Sequence, residues 1–197
     1  MDLSISEDFL KVLEYSRDEA LRTGWHNVCP DHIMLAVLRD GDNPACAALE
    51  ACGVSSAHLK TLIDEALFVN EQVPWEERES VHLSESAVSA LQAASLEAAR
   101  CHSDIIGPVH FLLGVCRVSG SFSHDALCDL GISLRALVEA SGMDWNAYGL
   151  ARQPSSAGNV TPVSDRKSPG IPDPALMAAA IEQRLREGYS TDNPIAS

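Results

Sequence analysis

Apolar side chains recur every three or four positions over much of the first 143 residues, and this spacing predicts amphipathic helices. The second predicted helix starts at Pro30, and its segment 32–38 is apolar nearly all round, which is typical of a central helix. Ser6 suits the position before the first helix, because its hydroxyl can accept from an unpaired amide, and Pro30 suits the first turn of the second. The spaced apolar positions of the first helix include Phe9, Val12, Leu13 and Ala20.

The pattern continues with two further helices in the first part of the chain. A third helix is predicted over 44–52 and ends at Gly53, since glycine readily adopts the left-handed conformation that follows many helices. Ser55 is then the predicted N-cap of a fourth helix. The inner face of that helix is predicted to be Leu59, Leu62, Ile63 and Leu67.

Residues 6–59 repeat at 84–137 with a constant offset of 78 and no gap. Such a long register indicates a duplicated unit. We therefore predict an all-α domain, residues 1–148, built from two pseudo-twofold related four-helix repeats at about 3–68 and 81–143. Any surface site is expected twice unless one copy has been lost. Positions that return unchanged include Glu19 as Glu97, His32 as His110, Arg39 as Arg117 and Gly53 as Gly131.

The remaining segments differ in composition from the repeats. Residues 69–82 link the halves, and Pro74 with its neighbouring charges argues against a long helix there. Residues 149–172 are rich in proline and small polar residues and predict a flexible linker. An amphipathic helix is predicted at 173–188, followed by a disordered tail at 189–197. Its apolar stripe needs cover from the domain, from a second copy in a homodimer, or from another protein.

The net charge is −14, and −13 of it falls on residues 1–143. An acidic surface repels phosphate backbones, so we expect no nucleic acid partner. The same surface favours basic or neutral protein partners, although solubility alone also explains it.

We expect a cytoplasmic protein that does not enter a membrane. No apolar run approaches the ~20 residues needed to cross a bilayer, and the first residues do not resemble a secretory signal. The six cysteines lie mostly among apolar neighbours, and we interpret them as buried free thiols rather than as disulfides.

The histidines and cysteines invite a catalytic or metal-binding interpretation. His32 and His110 begin two apolar helices, and we expect each ring to donate a structural hydrogen bond to backbone. Neither belongs to a known nucleophile motif. The spacing Cys-x-x-Cys is absent, so we predict no zinc site and no cofactor. An enzyme or metalloprotein stays a second hypothesis, which metal analysis would test.

The duplicated motif resembles the Clp N-terminal domain. Each copy has Ser-Glu at the first helix, a Pro-x-His start of the second, and an apolar stretch ending in arginine. The family commonly has Gly-Thr-Glu-His at that start, where this chain has Cys29-Pro30-Asp31-His32 and Gly107-Pro108-Val109-His110. The resemblance covers roughly residues 3–141.

The resemblance implies a non-catalytic module that binds substrates or adaptors of Clp unfoldases. The phosphate-binding loop of the ATPase modules, Gly-x-x-x-x-Gly-Lys-Ser/Thr, is absent because none of the three lysines follows a glycine. We therefore expect a stand-alone N-domain or a fragment, without enzymatic activity. Expected partners are unstructured protein segments, a Clp ATPase, its adaptors or its substrates. A third hypothesis is a structural, oligomerising part of a larger assembly, such as a secretion apparatus.

Some family members recognise phosphoarginine through the cap of the first helix and the acid of the second. Carried over by position, these residues are Ser6 with Asp31 in the first half, and Ser84 with Val109 in the second. Valine cannot pair with a cation, so we expect a working copy only in the first half. Plain helix capping by Ser6 and first-turn placement of Asp31 explain both residues without a ligand.

A further candidate contact is the linker sequence Trp75-Glu76-Glu77. Exposed aromatic residues often anchor protein partners, although tryptophan more often packs over a helix end. The acidic run is typical of a solvated face. We include Trp75, Glu76 and Glu77 with Ser6, Asp31 and Ser84 as the predicted peptide- or adaptor-binding residues.

Overall fold

The computed structural model describes residues 4–69 and 71–149 and the two single positions 179 and 183. Ala179 and Gln183 are helical, but the predicted helix 173–188 as a whole, the linker beyond Gly149 and the tail lie outside the described residues. The first repeat contains β1 (Ser4–Ile5), α1 (Glu7–Thr23), β2 (Asn27–Val28), α2 (Pro30–Asp40), α3 (Pro44–Ala51) and α4 (Ser56–Leu67). The second contains β3 (His82–Leu83), α5 (Glu85–Arg100), β4 (Ile105–Ile106), α6 (Pro108–Arg117), α7 (Phe122–Asp129) and α8 (Leu134–Ala140), after a 3₁₀ helix at Trp75–Ser80.

Helix positions confirm the all-α duplicated fold. Each helix of the second repeat begins 78 positions after its counterpart, from Glu7 and Glu85 to Ser56 and Leu134. The third helices end at Ala51 and Asp129, one residue earlier than predicted. The apolar and capping pattern therefore located the helices to within about two residues, which is the usual uncertainty of a helix end.

Four two-residue strands, which the sequence pattern did not predict, cross between the repeats. Strand β1 pairs in parallel with β4, and β2 pairs in parallel with β3. Strand β1, which precedes α1, thus lies beside β4, which precedes α6. Strand β3, which precedes α5, lies beside β2, which precedes α2. The two halves are therefore interlocked by backbone hydrogen bonds rather than only packed together.

The two helix-start histidines are structural acceptors, which corrects the expected direction of their hydrogen bonds. The backbone N–H of Cys29 donates to His32 Nδ1 at 2.9 Å, and that of Gly107 donates to His110 Nδ1 at 3.0 Å. Each ring satisfies an amide that the helix leaves unpaired, as glutamate or glutamine does in a capping box.

The core joins both repeats around the central helices α2 and α6. The rings of Phe9 and Phe111 meet across the repeats with centroids 5.8 Å apart. Gly114 of α6 allows a close approach to α5, because a Cβ at this position would lie 2.9 Å from the backbone nitrogen of Ala94. Fully buried side chains of the two central helices include Ile33, Met34, Leu35, Leu112 and Leu113.

Within the described part of the chain, no helix is long and apolar enough to span a membrane.

Candidate functional site

A buried glutamate ties the first two helices of each repeat together. In the first repeat, a carboxylate oxygen of Glu19 lies 2.7 Å from Arg22 and the other lies 3.4 Å from Arg39. In the second, Glu97 contacts Arg100 and accepts a 2.8 Å hydrogen bond from Arg117. Both carboxylates are almost fully buried, so each requires its arginines to offset the loss of hydration.

The linker between the repeats is attached to α1 through Arg78. Its Nε donates to Asp18 at 2.7 Å, and a terminal nitrogen donates to the Glu14 carbonyl at 3.2 Å. The guanidinium also lies 5.2 Å from the centroid of the Trp75 ring. Arg78 is therefore a buried clamp that fixes both the 3₁₀ helix and the indole beside it.

A groove of about 630 Å³ lies between this linker and the ends of α1 and α2. Trp75 forms part of its wall, and the side chain is 60% exposed. The groove therefore combines a large aromatic surface with buried or partly buried charges. Its other lining residues are Asp18, Glu19, Leu21, Arg22, Arg39, Gln72, Val73 and Pro74.

The other two linker residues of the predicted site, Glu76 and Glu77, are exposed beside Trp75. Glu77 lies 3.4 Å from His26, and both of these side chains face solvent. This end of the groove thus presents an indole with two carboxylates next to it.

Asp31 is 6% exposed and is bound to the opposite repeat. Its carboxylate accepts hydrogen bonds from the Ser123 amide at 2.7 Å, the Ser123 hydroxyl at 2.5 Å and the Phe122 amide at 3.3 Å. These donors belong to the first turn of α7, where a negative charge is favourable. Asp31 therefore acts as a cap for a helix of the other half.

The backbone of each cap serine is hydrogen-bonded to the opposite repeat. The amide of Ser84 donates to the Val28 carbonyl, and the amide of Ser6 donates to the Ile106 carbonyl, both at 2.9 Å. Ser84 therefore lies at the end of the β2–β3 strand pair, a few residues from Asp31 in the first repeat. Ser6 lies at the end of the β1–β4 strand pair, a few residues from Val109 in the second repeat. Each serine hydroxyl accepts a 3.1 Å hydrogen bond from an amide of its own helix.

His32 lies beside the C-terminal end of α1, which borders the groove, and its imidazole ring is neutral. Because Nδ1 accepts from Cys29, the proton is on Nε2, which donates to the Thr23 hydroxyl at 3.0 Å. Burial, and secondarily the charge of Arg22, lowers the pKa of His32 to about 4. Burial lowers the pKa of His110 as well. In each ring the Nδ1 lone pair is occupied by a hydrogen bond from the backbone.

Among the described residues, histidine, cysteine and carboxylate side chains form no group of three or more that is arranged to hold a metal ion.

The prediction from sequence did not include the charged lining of the groove. The missed residues are Asp18, Glu19, Arg22 and Arg39. A signal was present, because three of these four return unchanged at the offset of 78 whereas Asp18 becomes Leu96. The clamp Arg78 lies in the linker, where the repeat provides no counterpart for comparison.

A family model described as the Clp repeat (R) N-terminal domain matches residues 4–129. This match covers more than half of the 197 residues. The chain therefore belongs to the Clp N-terminal domain family, as the duplicated motif indicated.

Named relatives include the chaperone protein ClpB of Oceanobacillus iheyensis, 29% identical over 124 residues. A second is the negative regulator of genetic competence ClpC/MecB of Bacillus subtilis, 28% identical over 124 residues. Each alignment covers 63% of this chain and 15% of the relative, so the chain spans about 15% of the length of these relatives.

The fold is also similar to the crystal structure of the N-terminal domain of the caseinolytic protease associated chaperone ClpD from Arabidopsis thaliana. The TM-score is 0.52 at 17% identity, with 70% of this chain and 94% of that chain covered. At this identity the similarity supports the fold alone.

Proposed function

We propose that this chain is a non-catalytic protein-binding module of the Clp type, which recognises unstructured protein segments or an adaptor. Its main support is the exposed ring of Trp75 at a groove of about 630 Å³, with Arg78 holding the indole in place. A tryptophan that is fixed before binding loses little conformational freedom when a partner covers it.

The charge of the domain favours a neutral or basic segment as the ligand. Residues 1–143 carry −13, and Glu76 and Glu77 lie exposed beside the indole. The arginines of the groove are engaged by Glu19, so they provide less attraction for acidic ligands. An apolar or cationic side chain on the indole, with basic residues next to it, fits this surface.

The six residues predicted from the sequence contribute unequally to the proposed surface. Trp75, Glu76 and Glu77 are exposed, and Ser84 follows the strand pair near them. Asp31 already accepts three hydrogen bonds from α7, which disfavours a role in binding a phosphorylated arginine. Ser6 lies at the other crossed strand pair, and we place it outside the main contact.

The first test is capture of proteins from a cell lysate on the immobilised full chain and on a form lacking residues 172–188. Bound proteins are identified by mass spectrometry. We expect a Clp ATPase, an adaptor or degradation substrates among them. Recovery of none of these classes by either form would remove the basis of the proposed function.

The second test asks whether the partner binds at Trp75. The dissociation constant of a captured partner is measured with the wild type and with Trp75→Ala, and we expect about 30-fold weaker binding, which corresponds to ~2 kcal/mol. Phe68→Ala is the matched control, because Phe68 is an exposed aromatic residue outside the lining of the groove. Equal affinity of the wild type and Trp75→Ala would show that the partner binds elsewhere.

A homodimer through the predicted helix 173–188 is a separate part of the proposal, and that helix lies outside the described residues. Light scattering of the full chain and of the form lacking 172–188 tests it. A mass of two chains that falls to one chain on deletion supports the dimer, and a monomer in both forms excludes it.

A further inference from the structure

Cys128 differs from the other five cysteines in exposure. It is the only exposed one, since Cys46 is buried and the remaining four are partly buried. All six are free thiols within the described part of the chain. Cys128 lies on the last turn of α7, so reagents in solution can reach its sulfur.

The neighbour of this sulfur is an imidazole whose tautomer is fixed by the backbone. His124 Nδ1 lies 2.9 Å from the Val115 carbonyl oxygen, which can only accept, so Nδ1 carries the proton. The lone pair of the neutral ring is therefore on Nε2. That atom lies 3.6 Å from Cys128 Sγ, at the i,i+4 spacing on one helix face.

This arrangement matches the geometry by which a base activates a thiol. A sulfur faces a ring nitrogen that can take its proton, and a third group orients the ring. The first repeat lacks it, because Cys46 and Glu50 stand at the positions of His124 and Cys128. Cys46 instead donates to the Val37 carbonyl at 3.6 Å, which is the counterpart of the Val115 contact.

The other partly buried thiols are held in the unreactive, protonated form. Burial raises the pKa of Cys29, Cys101 and Cys116 to about 11. Burial also raises the pKa of Cys52. Since the thiolate is the nucleophile, these sites compete poorly at neutral pH.

We propose that Cys128 and His124 form a thiol-modification site that exchanges with low-molecular-weight disulfides. His124 Nε2 takes the thiol proton, and the Cys128 thiolate attacks one sulfur of the disulfide. The disulfide bond of the reagent breaks as the new mixed disulfide forms. The imidazolium gives its proton to the leaving thiolate or, when that thiolate is weakly basic, to water, so the exchange needs no further oxidant.

The experiment uses the full chain and an aromatic disulfide, 5,5′-dithiobis(2-nitrobenzoate), whose released thiolate is coloured. The folded protein and the protein in urea are compared at pH 7, and the modified residue is identified by mass spectrometry. We expect Cys128 to react first, at least 5-fold faster than the same thiol in the unfolded chain. Modification of another cysteine first, or no acceleration by the fold, would overturn the proposal.

His124→Gln tests the role of the imidazole. We expect the rate of Cys128 to fall to the unfolded rate or below, with an unchanged circular dichroism spectrum. Cys128→Ser should remove the fast phase, while Cys52→Ser, the matched control, should leave it intact. An undiminished rate in a folded His124→Gln protein would exclude the base. If that variant does not fold, the proposal is still tested by the reaction rate of Cys128 in the folded wild type relative to its rate in urea.

Discussion

The carboxylate of Asp31 and the hydroxyl of Ser123 are 2.5 Å apart, although 92 positions separate them in the chain. The contact joins the first turn of α2 to the first turn of α7. At the offset of 78 the counterpart of Asp31 is Val109 and that of Ser123 is Ala45, and both of these residues are apolar. The side chains that form this hydrogen bond therefore occur at only one of the two equivalent pairs of positions.

Replacing Asp31 should unpair donors at this junction. We expect Asp31→Val to lower the free energy of unfolding by about 2–3 kcal/mol, because buried amides and a hydroxyl lose their acceptor. Ser123→Ala should cost about 1 kcal/mol, and the double variant should cost less than the sum by about 1 kcal/mol. Urea unfolding measures all three, with Asp125→Asn on the exposed face of α7 as control. Additive effects would contradict a shared hydrogen-bond unit.

His32 should make the protein sensitive to mild acid. Its pKa is about 4 in the folded state against 6.5 for the free side chain. Between pH 6.5 and 4, His32 is therefore protonated in the unfolded chain but neutral in the folded chain. The contribution of His32 to the free energy of unfolding is fully present above pH 6.5. It decreases by up to about 3 kcal/mol as the pH falls towards 4.

The matched variant for this prediction is His32→Gln, because glutamine at the same position can accept from the Cys29 amide without titrating. Urea unfolding between pH 4 and 7 should show a shallower pH dependence than in the wild type. His58→Gln, at an exposed position of α4, serves as the control and should follow the wild type. Parallel profiles for the wild type and His32→Gln would contradict the prediction.

Gly114 should resist substitution although it lies inside a helix. Helix propensity alone favours Gly114→Ala by about 1 kcal/mol. The added methyl group would lie 2.9 Å from the Ala94 nitrogen and 3.2 Å from the Ala93 Cβ, so α5 and α6 must separate. We expect a net loss of about 1–2 kcal/mol in thermal or urea unfolding.

The equivalent residue of α2 is Ala36, which is buried. Ala36→Gly should also destabilise, by about 1–2 kcal/mol, through lost propensity and a lost methyl contact. Both exchanges are thus expected to be unfavourable. A more stable Gly114→Ala protein would show that the two helices can separate without cost.

Arg78 should determine the order of the linker. We expect Arg78→Lys to cost about 1–3 kcal/mol, because a lysine cannot reproduce both the Asp18 and the Glu14 contacts. Hydrogen exchange should increase in residues 75–80. Arg135→Lys is the control, since its pair with Glu139 is exposed and should change stability by less than about 0.5 kcal/mol. Unchanged exchange at 75–80 would exclude the clamp.

The sequence predicted the elements well because their signals are local. Ser6 and Ser84 precede the first helices of the repeats, and Pro30 and Pro108 are the first residues of the second helices, as their preferences for these positions indicate. The candidate site was predicted less completely. Its exposed tryptophan was identified from the linker sequence, but the groove charges and the clamp were missed because their role depends on contacts across the chain.

The sequence by itself determined the repeat, the helix content and the uneven charge, because periodicity and composition do not depend on contacts between distant residues. Only the tertiary structure decided which half each cap serine joins, because parallel pairing of β1 with β4 and β2 with β3 depends on contacts between residues far apart in the chain. The same holds for Asp31. Its side chain binds the first turn of α7 in the opposite repeat, and a contact across 92 positions leaves no local pattern in the sequence.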